Sequence, residues 1–367
     1  MKDKIVVSIT GIRPDFVRMS EIFKKLDENF THILVHTGQH YDKLLSDVFF
    51  DELNIRKPDY VLNSGRETST HYEQLSYLST AIFKLFKDNS INPDLILFLG
   101  DSNTAGVSFP LKKEGYRIGH IEAGMRSGDK RMLEEINRTV CDHCSDILFV
   151  YHEDYKNNLI RENIRNNVYV VGNTIVEVAR PHIPTESKRN DLILLDIHRP
   201  ENYKYETRLR NIIKYANDCI DRFGLNINML EFFGTMKFIK QFNIDLGKIR
   251  VVKLMSFKNY LNTIYHCRFI ISDSGTAQEE PALMRTPVIV PRDFTERPQS
   301  VAADCSFMLD VNDVNDVNDI NDHKTNNWNQ SFEWLNKSHK FDVEWLGDGQ
   351  TSDKIISHIR TFLNINT

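Results

Sequence analysis

Apolar runs a few residues long, each ending at a polar or glycine residue and followed by a helical pattern, constrain this chain more than any other feature. "KIVVSIT" (4–10) and "THILVHT" (31–37) read as buried strands, with the amphipathic stretch "DFVRMSEIFKKL" between them. "DLILFLG" (94–100), "YRIGHIE" (116–122) and "DILFVY" (146–151) continue the series. Strands alternating with helices imply a parallel, doubly wound sheet. A second series opens with "DLILLDI" (191–197) and continues through "NINMLEFF" (226–233), "IRVVKLM" (249–255), "RFIISDS" (268–274) and "TPVIVPR" (286–292). The expected fold class is therefore α/β, with two Rossmann-like domains and a central cleft. Each domain should present its loops at the carboxyl ends of its strands.

At 367 residues the chain exceeds one ordinary core, which agrees with two domains. The expected boundaries are 1–182 for the first and 190–350 for the second, with a polar, proline-containing linker between. A C-terminal helix over 351–367 is expected to pack back on the first domain. "DVNDVNDVNDIND" and the Asn-rich residues after it interrupt the second series, so 310–330 reads as a low-complexity surface insertion. A net charge of −5 argues against a nucleic-acid-binding surface. No apolar run approaches the roughly 20 residues that span a bilayer, and the N-terminus lacks a signal-peptide pattern. The expectation is a cytoplasmic protein with no membrane association. Five cysteines are scattered and odd in number, which argues against a disulfide framework. The CxxC at Cys141 and Cys144 lacks a second ligand pair at zinc spacing, so no metal is expected.

The chemistry-bearing clusters follow predicted strands. "TGIRPDF" places Arg13 at a helix start with Arg18 nearby, a pattern suited to an anion. "HTGQHYD" gathers hydrogen-bonding side chains, with a capped turn as the alternative. Asp101 in "LGDSNTA" suits a base or a sugar-hydroxyl acceptor, and helix capping by Asp101 or Ser102 is the competing reading. Glu122 ends a strand, while Glu134 and Arg138 share one helix face at i,i+4. Carboxylates so close together would raise at least one pKa and suit it for proton transfer. In the second half, His198 and Arg199 follow a strand. "SDSGTAQEEPALM" reads as a strand, a Ser-Gly turn and a helix whose amides and Ser274 hydroxyl could cradle a diphosphate. Glu280 suits the hydroxyls of a ribose, and "PRDFTERP" adds Arg292 and Arg297.

Taken in order, GIRPD (11–15), HTGQH (36–40), GDSNTA (100–105), HIEAGMRSGD (120–129), LEEINR (133–138), GNT (172–174), HRPEN (198–202), DSGTAQEE (273–280) and RDFTERPQ (292–299) resemble the motifs of the non-hydrolysing UDP-N-acetylglucosamine 2-epimerases. The resemblance covers about residues 5–310 and returns at "WLGDGQTSDKI". It implies a glycosyltransferase-B-type fold and a cytoplasmic homodimer that supplies sugars for polysaccharide or glycan synthesis. The implied partner is a UDP-sugar, with no cofactor. It further implies catalytic roles for Asp101, Glu122, Glu134, Arg138 and His198. UDP or substrate binding falls to Arg13, Arg18, His198, Phe257, Ser274, Gly275, Thr276, Glu280 and Arg297. Gln39, His40, Arg66 and Arg199 correspond to a second, activating UDP-sugar site. The implied reaction eliminates UDP to a 2-acetamidoglycal and adds it back with C2 inverted.

Several positions depart from the family pattern. Thr276 stands for a glycine, Leu133 for a proline and Pro200 for an arginine. Asp15 and Arg18 stand for glutamate and lysine, and "FFGTMKF" (232–238) lies where the family has a His-containing loop. "FFDELNIRKPDY" (49–60) resembles the branch acting on 6-deoxy-L-sugar nucleotides such as UDP-L-RhaNAc or UDP-L-QuiNAc. The sugar is accordingly open between those and UDP-GlcNAc/UDP-ManNAc. A hydrolysing 2-epimerase, a glycosyltransferase of the same fold and a silent UDP-sugar-binding protein are the alternatives.

Overall fold

The computed structural model describes residues 4–38, 47–312 and 323–365. The chain divides into two compact units. One holds the chain up to Val178 together with the stretch from Leu346 onward, and the other is Ala179–Trp345. The divisions thus fall at 178/179 and 345/346, against the 182 and 350 expected from pattern. No helix among the described residues is long and apolar enough to cross a membrane.

The first unit is built on a parallel sheet of seven strands: β1 (Ile5–Thr10), β2 (Thr31–His36), β3 (Tyr60–Val61), β4 (Leu95–Leu99), β5 (Ile118–Ile121), β6 (Ile147–Val150) and β7 (Val168–Val170). Their order is β3-β2-β1-β4-β5-β6-β7. The direction of winding reverses between β1 and β4, and such reversals leave a crevice at the carboxyl ends of the strands. All five residues of β4 are buried, as expected for a central strand covered on both faces. The helix Arg13–Asn29 buries Phe16, Ile22, Phe23 and Leu26, each worth about 1.5–3 kcal/mol of apolar transfer. The helix Thr351–Phe362 packs against it, with Ile355 and Ile359 fully buried. Arg360 Nη1 donates to Asn29 Oδ1 at 3.1 Å across that contact.

The second unit repeats the plan with β8 (Leu192–Asp196), β9 (Asn226–Leu230), β10 (Arg250–Val252), β11 (Cys267–Ser272), β12 (Val288–Val290) and β13 (Ser306–Met308). The order β10-β9-β8-β11-β12-β13 has the same reversal, here between β8 and β11. The strongly amphipathic helix Glu206–Phe223 ends at Gly224 in the left-handed conformation, the common stop for a helix.

The Asn-rich stretch is a correction to the sequence reading. Residues 323–330 do not belong to a surface insertion, because a helix runs His323–Asn336 and buries Trp328 and Phe332 in the core of the second unit. Tyr215 stacks on Phe332 at 5.2 Å, and its hydroxyl pairs with that of Ser331 at 2.7 Å. The remainder of the VND repeat, 313–322, lies outside the described residues. The thiols of Cys141 and Cys144 are free and buried in the helix Leu133–Cys144.

Candidate active site

In the first unit the polar residues gather at the carboxyl ends of β1, β4 and β5. Gly100, Asp101 and Ser102 follow β4, and Glu122 follows β5. Two of the three predicted carboxylates are held by arginine. Arg18, 4 % exposed, reaches Glu122 Oε2 at 2.6 Å. Arg138, 2 % exposed, ion-pairs Asp101 Oδ2, and its Nη1 lies 3.4 Å from Glu135 Oε2. Burial of such charges is costly, and close pairing offsets the cost. Arg18, expected to face a diphosphate, is therefore placed against a carboxylate.

Glu122 has φ +71°. Side chains other than glycine and asparagine rarely occupy this left-handed region, and doing so costs on the order of 1–3 kcal/mol. Strain of this kind persists only where the surroundings enforce it, here the β5 ladder on one side and the Gly124 turn on the other. Gly124 has φ +76°, and a Cβ there would lie 2.3 Å from the Tyr155 carbonyl oxygen. Glu134 is half-buried in the first turn of the helix Leu133–Cys144. Its neighbour Glu135 accepts from the Ser127 and Gly128 amides at 3.1 Å and so anchors the loop before that helix. Asn137 Nδ2 donates to the Asp101 carbonyl at 3.0 Å, tying the same helix to the β4 turn.

A further carboxyl of the site was not among the predicted trio. Burial raises Asp15 to about 7, and the negative charges of Asp101 and Glu122 add to the effect. The Gly11 and Ile12 amides donate to Asp15 Oδ2 at 2.7 and 3.0 Å and pull the other way. Asp15 is thus a fourth carboxyl near Asp101 and Glu122. Only its place in the GIRPD turn hinted at it. Arg13 is half-buried in the first turn of the same helix. Gln39 and His40 lie outside the described residues. Arg66 is exposed at the end of the short helix Ser64–Glu67.

In the second unit the loops after β8, β11 and β12 are organised around buried acids. Asp273, fully buried, accepts from the His198 amide at 3.0 Å, the Arg199 amide at 3.1 Å and Asn202 Nδ2 at 3.0 Å. His198 Nδ1 faces Asp196 Oδ1 at 2.9 Å, and its ring lies 4.8 Å from that of Phe232. Burial works to lower the His198 pKa, but Asp196 and Asp273 outweigh it and the net shift is upward. An imidazole so placed favours its cationic, anion-binding form. Arg199 caps the short helix Pro200–Tyr203.

The turn after β11 leads into helix in two short pieces: a three-residue 3₁₀ turn, Thr276–Gln278, is succeeded by the four-residue helix Glu280–Leu283. Pro281 explains the break, since its ring would clash with the carbonyl four residues back in a continuous helix. Ser274 and Thr276 hydroxyls pair at 3.1 Å. Gly275 lies where a Cβ would meet Arg297 Nη1 at 2.6 Å and Glu296 Oε1 at 2.7 Å. Arg297 itself is buried, with Nε on Glu279 Oε1 at 2.5 Å and Nη1 on Glu296 Oε1 at 2.9 Å. Arg292 pairs with the other oxygen of Glu296 at 3.1 Å. The RDFTERP segment is thereby locked to the DSGT turn. Glu280 is 5 % exposed and electrostatically coupled to Tyr260. Phe257 is buried, its ring edge-on to His182 at 6.4 Å.

The sequence profile of the family described as UDP-N-acetylglucosamine 2-epimerase matches residues 24–360. The UDP-N-acetylglucosamine 2-epimerase of Methanocaldococcus jannaschii is 32% identical over 95% of this chain and 96% of its own length. The UDP-2,3-diacetamido-2,3-dideoxy-D-glucuronate 2-epimerase of Pseudomonas aeruginosa is 29% identical over 96% of this chain and 99% of its own. The crystal structure of M. jannaschii UDP-GlcNAc 2-epimerase in complex with UDP-GlcNAc and UDP superposes with a TM-score of 0.86 at 31% identity, covering 98% of this chain and 99% of that one.

Proposed function

The chain belongs to the UDP-N-acetylglucosamine 2-epimerase family, and from that premise we propose that it inverts C2 of a UDP-N-acetylhexosamine without releasing the free sugar. It is an epimerase acting on a UDP-sugar; the substrate we assign first is UDP-GlcNAc, in exchange with UDP-ManNAc. The proton on C2 beside an acetamido group is barely acidic, so direct abstraction is a poor route. Elimination avoids the difficulty. A carboxylate takes the C2 proton while the C1–O bond breaks, its electron pair leaving on the diphosphate and a C1=C2 double bond forming. The diphosphate oxygen then attacks C1, and a carboxylic acid returns a proton to the opposite face of C2. The cycle is redox-neutral and balanced.

The observation that carries this reading is the pair of arginine-held carboxylates at the ends of adjacent strands, Asp101 with Arg138 and Glu122 with Arg18. A general base and a general acid close together are what the two half-reactions require. Glu134 joins them as a third candidate for proton transfer. His198, with its raised pKa, and the Ser274 turn are the groups to which we assign the UDP diphosphate, and Glu280 the ribose. Cationic and hydroxyl donors there stabilise the charge developing on the departing diphosphate. A second copy of the chain is the expected partner, since exposed Tyr72, Phe109, Leu133 and Ile136 lie on neighbouring helices of the first unit.

The test is incubation with UDP-GlcNAc in D₂O followed by NMR. Deuterium at C2 in both epimers is the expected result, and its absence from every UDP-N-acetylhexosamine tried overturns the proposal. Free N-acetylmannosamine as sole sugar product assigns a hydrolysing reaction instead. UDP-L-RhaNAc and UDP-L-QuiNAc in the same assay decide whether a 6-deoxy sugar is preferred.

A further inference from the structure

His120 lies in β5, fully buried, two residues before Glu122. Each of its ring nitrogens faces an oxygen at short range. Nε2 is 2.7 Å from the Gly100 carbonyl, and Nδ1 is 2.6 Å from Asp142 Oδ1. A backbone carbonyl can only accept, so Nε2 carries a proton. Asp142 is also fully buried, and its second oxygen accepts from the Gly124 amide at 3.1 Å and pairs with Arg126 Nη1 at 2.8 Å. Donors including a cation on one oxygen hold the carboxylate ionised, and an ionised carboxylate can only accept. Nδ1 therefore carries a proton as well.

We propose that His120 is an imidazolium at working pH and acts as a positioning residue, gripping the Gly100 carbonyl so that the peptide leading into Asp101 is fixed beside Glu122. The Gly100 amide already donates to the Ile121 carbonyl at 3.0 Å, so the glycine is held on both sides. Gly100 has φ +68°, where the chain turns out of β4. Asp142 extends the grip to Gly124, on the far side of Glu122, and Arg126 passes it on to Glu162 through bonds of 2.7 Å from Nε and Nη2. The charges around the ring balance: His120 and Arg126 oppose Asp142 and Glu162. His143 lies 3.3 Å from Glu162 at the exposed end, and the Cys141 thiol adjoins the imidazole. Burial works to lower the basicity of the ring, but the Cys141 sulfur and the Asp142 carboxylate outweigh it and the net shift is upward, in agreement with the geometry.

The inference uses the 2-epimerase reading for its kinetic arm alone, because the protonation state can be read without turnover. The first measurement is neutron diffraction, or NMR of protein with ¹⁵N-labelled histidine assigned by a His120 variant, near pH 8. Hydrogen on both ring nitrogens is expected; a single proton overturns the imidazolium. The second compares His120→Phe with His120→Gln, whose amide keeps a donor for the Gly100 carbonyl. His120→Phe should lower kcat by about 10²-fold or more, the scale for misplaced catalytic groups, with KM changed by less than about threefold. His120→Gln should recover at least about tenfold of that loss. Circular dichroism and the urea melting curve are the folding control, and UDP affinity, assigned above to His198 and the Ser274 turn, is measured beside them. Equal losses of kcat and UDP binding, or full activity in His120→Phe, refute the positioning role. Should His120→Phe not fold, His120→Gln and the protonation measurement decide. A wild-type protein that turns over no UDP-sugar but shows the doubly protonated ring refutes the function and leaves the charge state standing.

Discussion

Asp15 makes the stability of this protein depend on pH in the direction opposite to a carboxylate held by cations, such as Asp142. Its pKa in the folded chain is about 7, against 3.8 for an ordinary aspartate. Between those values the folded protein keeps a proton that the unfolded chain has lost. The folded state binds more protons, so unfolding free energy falls as pH rises. The contribution is fully present below about pH 4 and is lost by the time pH passes the folded value near 7. Each pH unit within the window is worth about 1.4 kcal/mol, so pH 5 to 7 should cost the native state about 2–3 kcal/mol from this one group. Asp15→Asn is the perturbation of choice. A carboxamide oxygen can accept from the Gly11 and Ile12 amides as the carboxyl does, while the titration is removed. Urea melts of wild type and variant at half-unit steps from pH 5 to 8 give the comparison. The variant should gain on wild type steadily to about pH 7 and then hold level. Parallel curves would falsify the account, and would mean that the two amide donors outweigh burial and keep Asp15 ionised.

The Arg18–Glu122 pair should behave as a unit. Arg18→Met leaves a buried carboxylate uncompensated and should cost about 3–5 kcal/mol, whereas Arg18→Met with Glu122→Gln should recover most of that stability without restoring turnover. Chemical denaturation alongside the epimerisation assay separates the two effects, and additive losses in the double variant argue against direct coupling. Glu134→Gln should lower kcat by about 10²-fold or more if Glu134 moves a proton. An unchanged rate returns Glu134 to a surface role. Gly124→Ala should destabilise by at least about 3 kcal/mol, because the new methyl group meets the Tyr155 carbonyl as well as the wrong backbone region. Gly128→Ala, at φ +72° with nothing within 4 Å, should cost only about 1–2 kcal/mol, and equal losses would remove steric contact from the explanation.

What could be read from the sequence, and what could not, follows from how each feature is encoded. Strands buried on both faces must be apolar along their whole length, so β1, β4, β8 and β11 announced themselves as runs. The edge strand β3 has two residues, and one of them, Val61, is half-exposed, too little to make a pattern. The helix His323–Asn336 was hidden because the few residues that bury it, Trp328, Phe332, Trp334 and Leu335, come late in an Asn-rich stretch. Asp101, Glu122 and Glu134 were legible because a polar residue at a strand end or helix start is conspicuous against apolar neighbours. Asp142, Asp273 and His120 were not, since a buried charge is recognisable only by its partners. Those partners lie 22 residues away for Asp142 and His120, and 75 for Asp273 and His198. The same distance accounts for their importance. Long-range pairs of this kind carry the geometry of the candidate site from one strand to the next, and a sequence read one neighbourhood at a time cannot display them. His120 shows the consequence most plainly. Read locally it is one more residue of a strand, and its charge becomes visible only once the Gly100 carbonyl and the Asp142 carboxylate are found on either side of its ring.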